Sequence, residues 1–468
     1  MVVSVAQLMV VLDTTIVNIA LPSAQADLDF PDSQRHWIIT AYALAFGSLL
    51  LLGGRVGDRT GRKRTFLIAL IAFAAASALG GAAPSFAVLV IARAVQGAAA
   101  ALLAPAALGT LATTFTDVRD RGKAFALFGT VAVSGGAVGL IFGGILTEYL
   151  SWRWCMYVNV LFAAGAALAA KAYMVHAKPS VRPHLDIAGT VLAVAGLFGL
   201  VFGLSQVEAK GWTDRVTLTS LAVGVVLLIT FSVVERRVPH PLLPLRIVVS
   251  RLRGMAFVAV GFVGLTTFSL NLFLSYYLQN VKHLSPLNGG LAFLPMIVCI
   301  MISSNVSNRI TLPMFGPRVI VTVGLNLSVV ALGYLSLLRP ASSYEAGVLP
   351  GLVVMGLALG MVMPPSMNTA TLGVEPRDAG AVAALVSTMQ QIGGAVGVAV
   401  TSVIAASATS SYLSRHPGRP NLEAAAAVRG YGVVFGVLAL LAAVAGLLAT
   451  VLSPRKIHFD AMHGHSRV

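Results

Sequence analysis

Long apolar runs alternate with short polar segments from one end of the chain to the other. The runs are continuous, without the strict apolar–polar alternation of strands. Each is close to the roughly 20 residues that a helix needs to cross a bilayer's hydrocarbon core. Fourteen such runs are predicted as helices, the first at 2–22 and the last at 430–452. The expected fold class is therefore all-α, a polytopic membrane protein.

Composition agrees with the pattern. The 468 residues are 57% hydrophobic and 10% charged, with a mean hydropathy of +0.87, whereas soluble domains carry roughly 25% charged residues. The net charge of +15 does not point to nucleic acid. Lys and Arg gather in the loops that share a side with the N-terminus, the positive-inside distribution. The lipid bilayer is the expected partner, in a bacterial inner or plasma membrane, with both termini cytoplasmic. Asp13 and Asn18 interrupt the first run and no basic stretch precedes it, so it is read as a retained helix despite the Ala24-Gln25-Ala26 cleavage-like triplet. Cys155 and Cys299 fall within runs and are expected to pack as small hydrophobes. No metal spacing, nucleotide loop or catalytic triad occurs, so no cofactor and no enzymatic activity are expected.

The chain repeats itself. Residues 119–139 and 377–397 match at eleven of twenty-one positions without a gap, sharing an Arg-Asp-x-Gly start and a Gly-Gly-Ala-Val-Gly end. The copies open the fifth and thirteenth runs. Two parallel six-helix halves separated by two added helices explain that spacing, with substrate held between the halves. The division expected is 1–178, 179–240, 241–455 and a cytoplasmic tail at 456–468.

Polar residues inside the runs mark the candidate chemistry. Asp13 is the one acid in mid-run, and Arg93 is the one charge of the fourth run. A lone charge in lipid costs about 2.5–3.5 kcal/mol even on lenient scales, so the two are expected to face a common aqueous cavity. Two roles fit: a fixed ion pair, or a carrier in which Asp13 is alternately protonated and ionised. The second is preferred because a static buried pair is seldom a net stabiliser. Thr14 and Asn18 share a helical stripe that lines the expected substrate pathway. Gln96, Asn271, Tyr276, Tyr277, Asn305, Asn368, Gln390 and Gln391 are further pathway candidates, with Gln279, Met367 and Met389 beside them.

Several of these segments resemble a known family. Gly54, Asp58, Arg59, Gly61, Arg62 and Lys63 match a major facilitator loop pattern, which implies a charge latch that forms in one transport state. The second-half loop holds Asn308 at the acid's place and keeps only Arg309, Gly316, Pro317 and Arg318. Leu89, Arg93, Gln96 and Gly97 resemble the family's fourth-helix pattern. Residues 12–22 are similar to the first-helix signature of the fourteen-helix drug:proton antiporters (EmrB/QacA type). Gly135, Gly139, Gly143 and Gly144 match that branch's glycine motif and are expected to pack helices closely, although Leu140 stands where the motif has proline. The resemblance implies a monomeric secondary transporter that exchanges protons for drug-like or amphipathic small molecules by alternating access. Export of one metabolite or antibiotic, proton symport, and a non-transporting sensor or scaffold are the other readings.

Overall fold

The computed structural model describes residues 2–114, 118–174, 186–238, 251–371, 379–417 and 422–452. Among them the ordered structure is helical and no strand occurs. The helices are α1 (Val2–Leu28), α2 (His36–Thr60), α3 (Arg62–Gly81), α4 (Phe86–Thr114), α5 (Val118–Tyr149), α6 (Trp154–Tyr173), α7 (Ile187–Lys210), α8 (Arg215–Glu235), α9 (Arg251–Tyr276), α10 (Pro286–Leu291), α11 (Leu294–Val306), α12 (Leu312–Leu335), α13 (Leu349–Thr371), α14 (Ala379–Arg415) and α15 (Leu422–Leu452).

Twelve helical segments among the described residues are long and apolar enough to cross a membrane, where the hydropathy pattern predicts fourteen. The two remaining long helices are α2 and α5. Both carry charge at one end: α2 has Arg55, Asp58 and Arg59 in its last two turns, and α5 opens on Arg119, Asp120, Arg121 and Lys123.

Local chemistry sets the helix boundaries. The Asp214 carboxylate accepts from the amides of Val216 and Thr217 and starts α8, the usual work of an N-cap. Ser285 caps α10 ahead of Pro286 at the first helical position. Gly61 separates α2 from α3 at φ 93°, and Gly316 breaks α12 near its start at φ 74°. A side chain is strained in that left-handed region, so glycine is needed at both turns. Gly316 thus does in the second half what Gly61 does in the first.

The helices pack in two groups. α1 to α6 form one, with α1 against α5 and α6, and α4 against α2 and α3. α9 to α15 form the other, with α9 against α14, α12 against α13 and α15, and the short α10 reaching across to α5 of the first. The α7–α8 pair packs on itself and leans on α2 and α14. The sequence repeat appears here as shared geometry. Gly135 and Gly139 of α5 press on Leu8, Val11, Leu12 and Thr15 of α1, and Gly393 and Gly397 of α14 press on Gly261 and Leu265 of α9. A Cβ at Gly139 or Gly393 would collide with Thr15 Oγ1 or the Gly261 carbonyl. Close backbone approach of this kind is what small residues provide between membrane helices.

Candidate functional site

Asp13 of α1 and Arg93 of α4 meet inside the first group. Arg93 Nη1 donates to Asp13 Oδ2 at 2.6 Å, with 2% of the Arg93 side chain and 0% of the Asp13 side chain exposed. Three further helices complete the site. Asn159 Nδ2 of α6 donates to Asp13 Oδ1 at 2.6 Å, and Gln96 Nε2 donates to the same oxygen at 3.1 Å. Gln96 Oε1 accepts from Arg93 Nη1 at 3.0 Å, and Gln96 Nε2 also reaches Ser77 Oγ of α3 at 2.8 Å. On the α2 side, Arg93 Nε donates to the Ile38 carbonyl at 3.2 Å and the guanidinium lies 4.4 Å above the Tyr42 ring.

This corrects one expectation. The two charges do not face a shared wet cavity in this conformation; they are sealed in protein. The physical reason is that three side-chain donors replace water around the carboxylate, while a carbonyl, an amide oxygen and an aromatic face serve the guanidinium. Charge-assisted hydrogen bonds of this kind are about twice as strong as neutral ones. The cluster ties α1, α2, α3, α4 and α6 together in this conformation.

The other predicted residues fall in several places. Thr14 and Asn18 bond back to the Val11 and Thr14 carbonyls of their own helix. Gln96 belongs to the charge cluster rather than to a separate pathway wall. Tyr276 and Tyr277 lie at the end of α9. Tyr276 donates to Gln25 of α1, and Tyr277 donates to the Arg339 carbonyl at 2.9 Å. Asn305 is exposed and bonds to Met301 of its own helix. Asn368 reaches Asn308 Oδ1 at 3.5 Å, and Asn271 is half-buried. Gln390 and Gln391 are half-buried on α14, where Gln391 lies against Gly47 of α2. Gly144 does not join the α1 contact; it meets Leu287 of α10.

In the loop after α2, Arg62 Nη1 donates to the Gly109 carbonyl of α4 at 2.6 Å. Lys63 Nζ donates to the carbonyls of Lys171 and Met174 at the end of α6, at 3.0 and 2.5 Å. Lys63 acts as a C-terminal cap of α6, where a cation also meets the negative end of the helix dipole, and Arg62 ties the start of α3 to α4. Gly54 packs near Pro105, and Arg59 is exposed. The Asp58 side chain lies outside the described residues. Lys63→Met keeps the stem and deletes the donors; a loss of about 1–2 kcal/mol is expected, seen as a lower denaturation midpoint of purified protein.

Sequence reasoning missed Ser77, Asn159 and Tyr42. The available signal was a lone amide in the apolar stretch Met156–Phe162, since polar groups in membrane helices need partners. No group of three or more His, Cys, Asp or Glu side chains converges among the described residues.

Comparisons with known proteins add a family model described as Major Facilitator Superfamily, which matches residues 3–398. The puromycin resistance protein of Streptomyces alboniger is 45% identical, over 95% of this chain and 89% of its own length. The cephamycin export protein of Amycolatopsis lactamdurans is 37% identical, over 97% and 93%. Among solved structures, an auto-inhibited POT family peptide transporter superposes with a TM-score of 0.71 at 15% identity, over 97% of this chain and 96% of that one. A bacterial homologue of the human lysosomal transporter Spinster, inward-facing and unoccupied, gives 0.67 at 14%, over 96% and 95%. At such identities these structures speak for the fold alone.

Proposed function

From the premise that this chain belongs to the Major Facilitator Superfamily, we propose that it exports antibiotic-like, amphipathic small molecules across a bacterial inner membrane by proton-coupled alternating access. It is a multi-pass membrane transporter and not an enzyme. In the finer reading α2 and α5 also cross, giving the fourteen-helix drug:proton antiporter arrangement. Residues 1–178 and 241–455 are then the two halves, 179–240 the added pair, and both termini are cytoplasmic. The working unit is a monomer.

One observation carries the alternating-access reading. Besides the packing of α2 on α14, the two groups join through side-chain hydrogen bonds toward the C-terminal end of α1: Gln25 with Tyr276, Gln279 with the Ile19 carbonyl at 3.2 Å, and Glu148 with the Leu287 amide at 3.1 Å. With the termini inside, this is the outer end, and the conformation is closed to the outside.

Coupling is assigned to the Asp13–Arg93 pair. When the outer end opens, α1 and α4 shift relative to one another, the acid exchanges its guanidinium partner for a proton, and the return step reverses the exchange. A ligand can shift a two-state equilibrium only by its differential affinity for the states, and a carboxylate with two alternative partners supplies that difference.

A narrower reading also has support: the two relatives named above each carry the name of one antibiotic, which favours a single dedicated substrate. Reconstituted vesicles with an imposed pH gradient test both. Proton-driven movement of puromycin and of unrelated amphipathic cations is the expected result. Movement of puromycin alone would select the dedicated exporter, and no movement of any compound with the gradient would remove proton coupling.

A further inference from the structure

Arg35 lies outside the charge cluster and has an unusual setting. It precedes α2, on the first half, yet its side chain is inserted into the second half and is only 5% exposed as a residue. Its guanidinium carbon sits 4.1 Å from the Tyr276 ring centroid and 5.6 Å from that of Phe273. Tyr431 of α15 lies beside it, with its ring 5.6 Å from that of Phe273. Asp32 is the counter-ion at 3.5 Å, with a side chain 72% exposed. Nε and Nη1 have no hydrogen-bond partner. The cation is therefore held by the Tyr276 and Phe273 faces, by the hydroxyls of Tyr431 and Tyr276, and by one loose ion pair.

We propose that Phe273, Tyr276 and Tyr431 form a binding site for organic cations on the second half, which Arg35 fills as a tethered competitor when the outer end is closed. The inference rests on the export reading above and names the substrate chemistry. A desolvated cation over tyrosine and phenylalanine faces is attracted by the ring quadrupoles and needs no hydrogen-bond geometry. The same box therefore accepts a guanidinium or an ammonium of varied shape. Asp13 cannot serve that purpose in this conformation, because Arg93 already neutralises it.

Position gives the site its use. Arg35 and Asp32 belong to the first half, and the three rings to the second. Opening the outer end withdraws Arg35 and bares the rings toward the exit. Closing it drives Arg35 back and expels whatever cation is bound. A cationic substrate would pause there on leaving, and closure could not complete until it had gone.

The test uses labelled methylguanidinium and equilibrium dialysis with the purified full chain. Arg35→Ala is expected to bind it at least ten-fold more tightly than wild type, and Arg35→Ala/Tyr276→Leu to lose that gain. Equal binding by Arg35→Ala and wild type would overturn the proposal, as would a gain that survives the Tyr276 change. Should Arg35→Ala fail to fold, Arg35→Gln empties the same box. Transport of puromycin and of amphipathic cations by the wild type is measured separately. Intact transport with no methylguanidinium gain removes the cation site alone, whereas absent movement of puromycin and of every amphipathic cation tried removes the export reading.

Discussion

Replacing Asp13 or Arg93 alone by leucine will destabilise the protein by about 3–5 kcal/mol, while Asp13→Leu/Arg93→Leu together will cost far less than the sum. Each single change leaves an opposite charge buried beside Gln96, Asn159 or Tyr42 with no counter-ion. The double change removes both charges and leaves only neutral groups, Gln96, Asn159 and Ser77, to re-pair. Denaturation midpoints of the purified variants check this, and additive single losses would contradict it. The same variants separate brace from carrier. A pair that only holds α1 to α4 leaves the folded double variant with full proton-driven transport. A pair that couples leaves it able to exchange substrate down a gradient but unable to use a pH difference.

How much of this could be read from residues alone is instructive in its unevenness. Asp13 and Arg93 stand out because one charge in twenty apolar residues has no cheap explanation. Their actual relationship does not stand out. The cost of a buried charge can be met by water or by protein donors, and the choice depends on whether Ser77, Gln96 and Asn159 converge from three helices. Convergence is a tertiary fact with no periodicity of its own. The glycine stripe shows the same division: spacing by four identifies a close-packing face, but Gly135, Gly139 and Gly143 turn to α1 while Gly144 turns to α10 of the other group. The aromatic box was hidden for a further reason. Tyr276 stands out in the sequence as a pathway candidate, but Arg35 reads as an ordinary loop cation, and Phe273 and Tyr431 as ordinary membrane aromatics, until the two groups are docked. Gly61 and Gly316 were the more legible kind of feature, because a turn requirement is local.

Gly290→Val will hold the outer end open and reduce transport by roughly five-fold or more, with little loss of folded protein. Gly290 lies against the Leu140 carbonyl of α5, and Gly144 lies against the Leu287 backbone of α10. At this crossing two backbones touch, so a branched side chain has no flexible neighbour to displace. Overpacking a tight contact costs about 1–3 kcal/mol. Here the cost falls only on the closed state, since α5 and α10 belong to different halves and part when that end opens. At 1.4 kcal/mol per factor of ten, the closed-to-open ratio should fall by roughly five- to a hundred-fold. A cysteine placed at Gln25, whose side chain meets Tyr276 across the same seam, should then become accessible to a membrane-impermeant maleimide from outside. Each half keeps its own packing, so the denaturation midpoint should stay near wild type. Normal transport by Gly290→Val, or a collapse in stability without any gain in labelling, would mean that the α5–α10 contact is permanent and that the halves do not separate there.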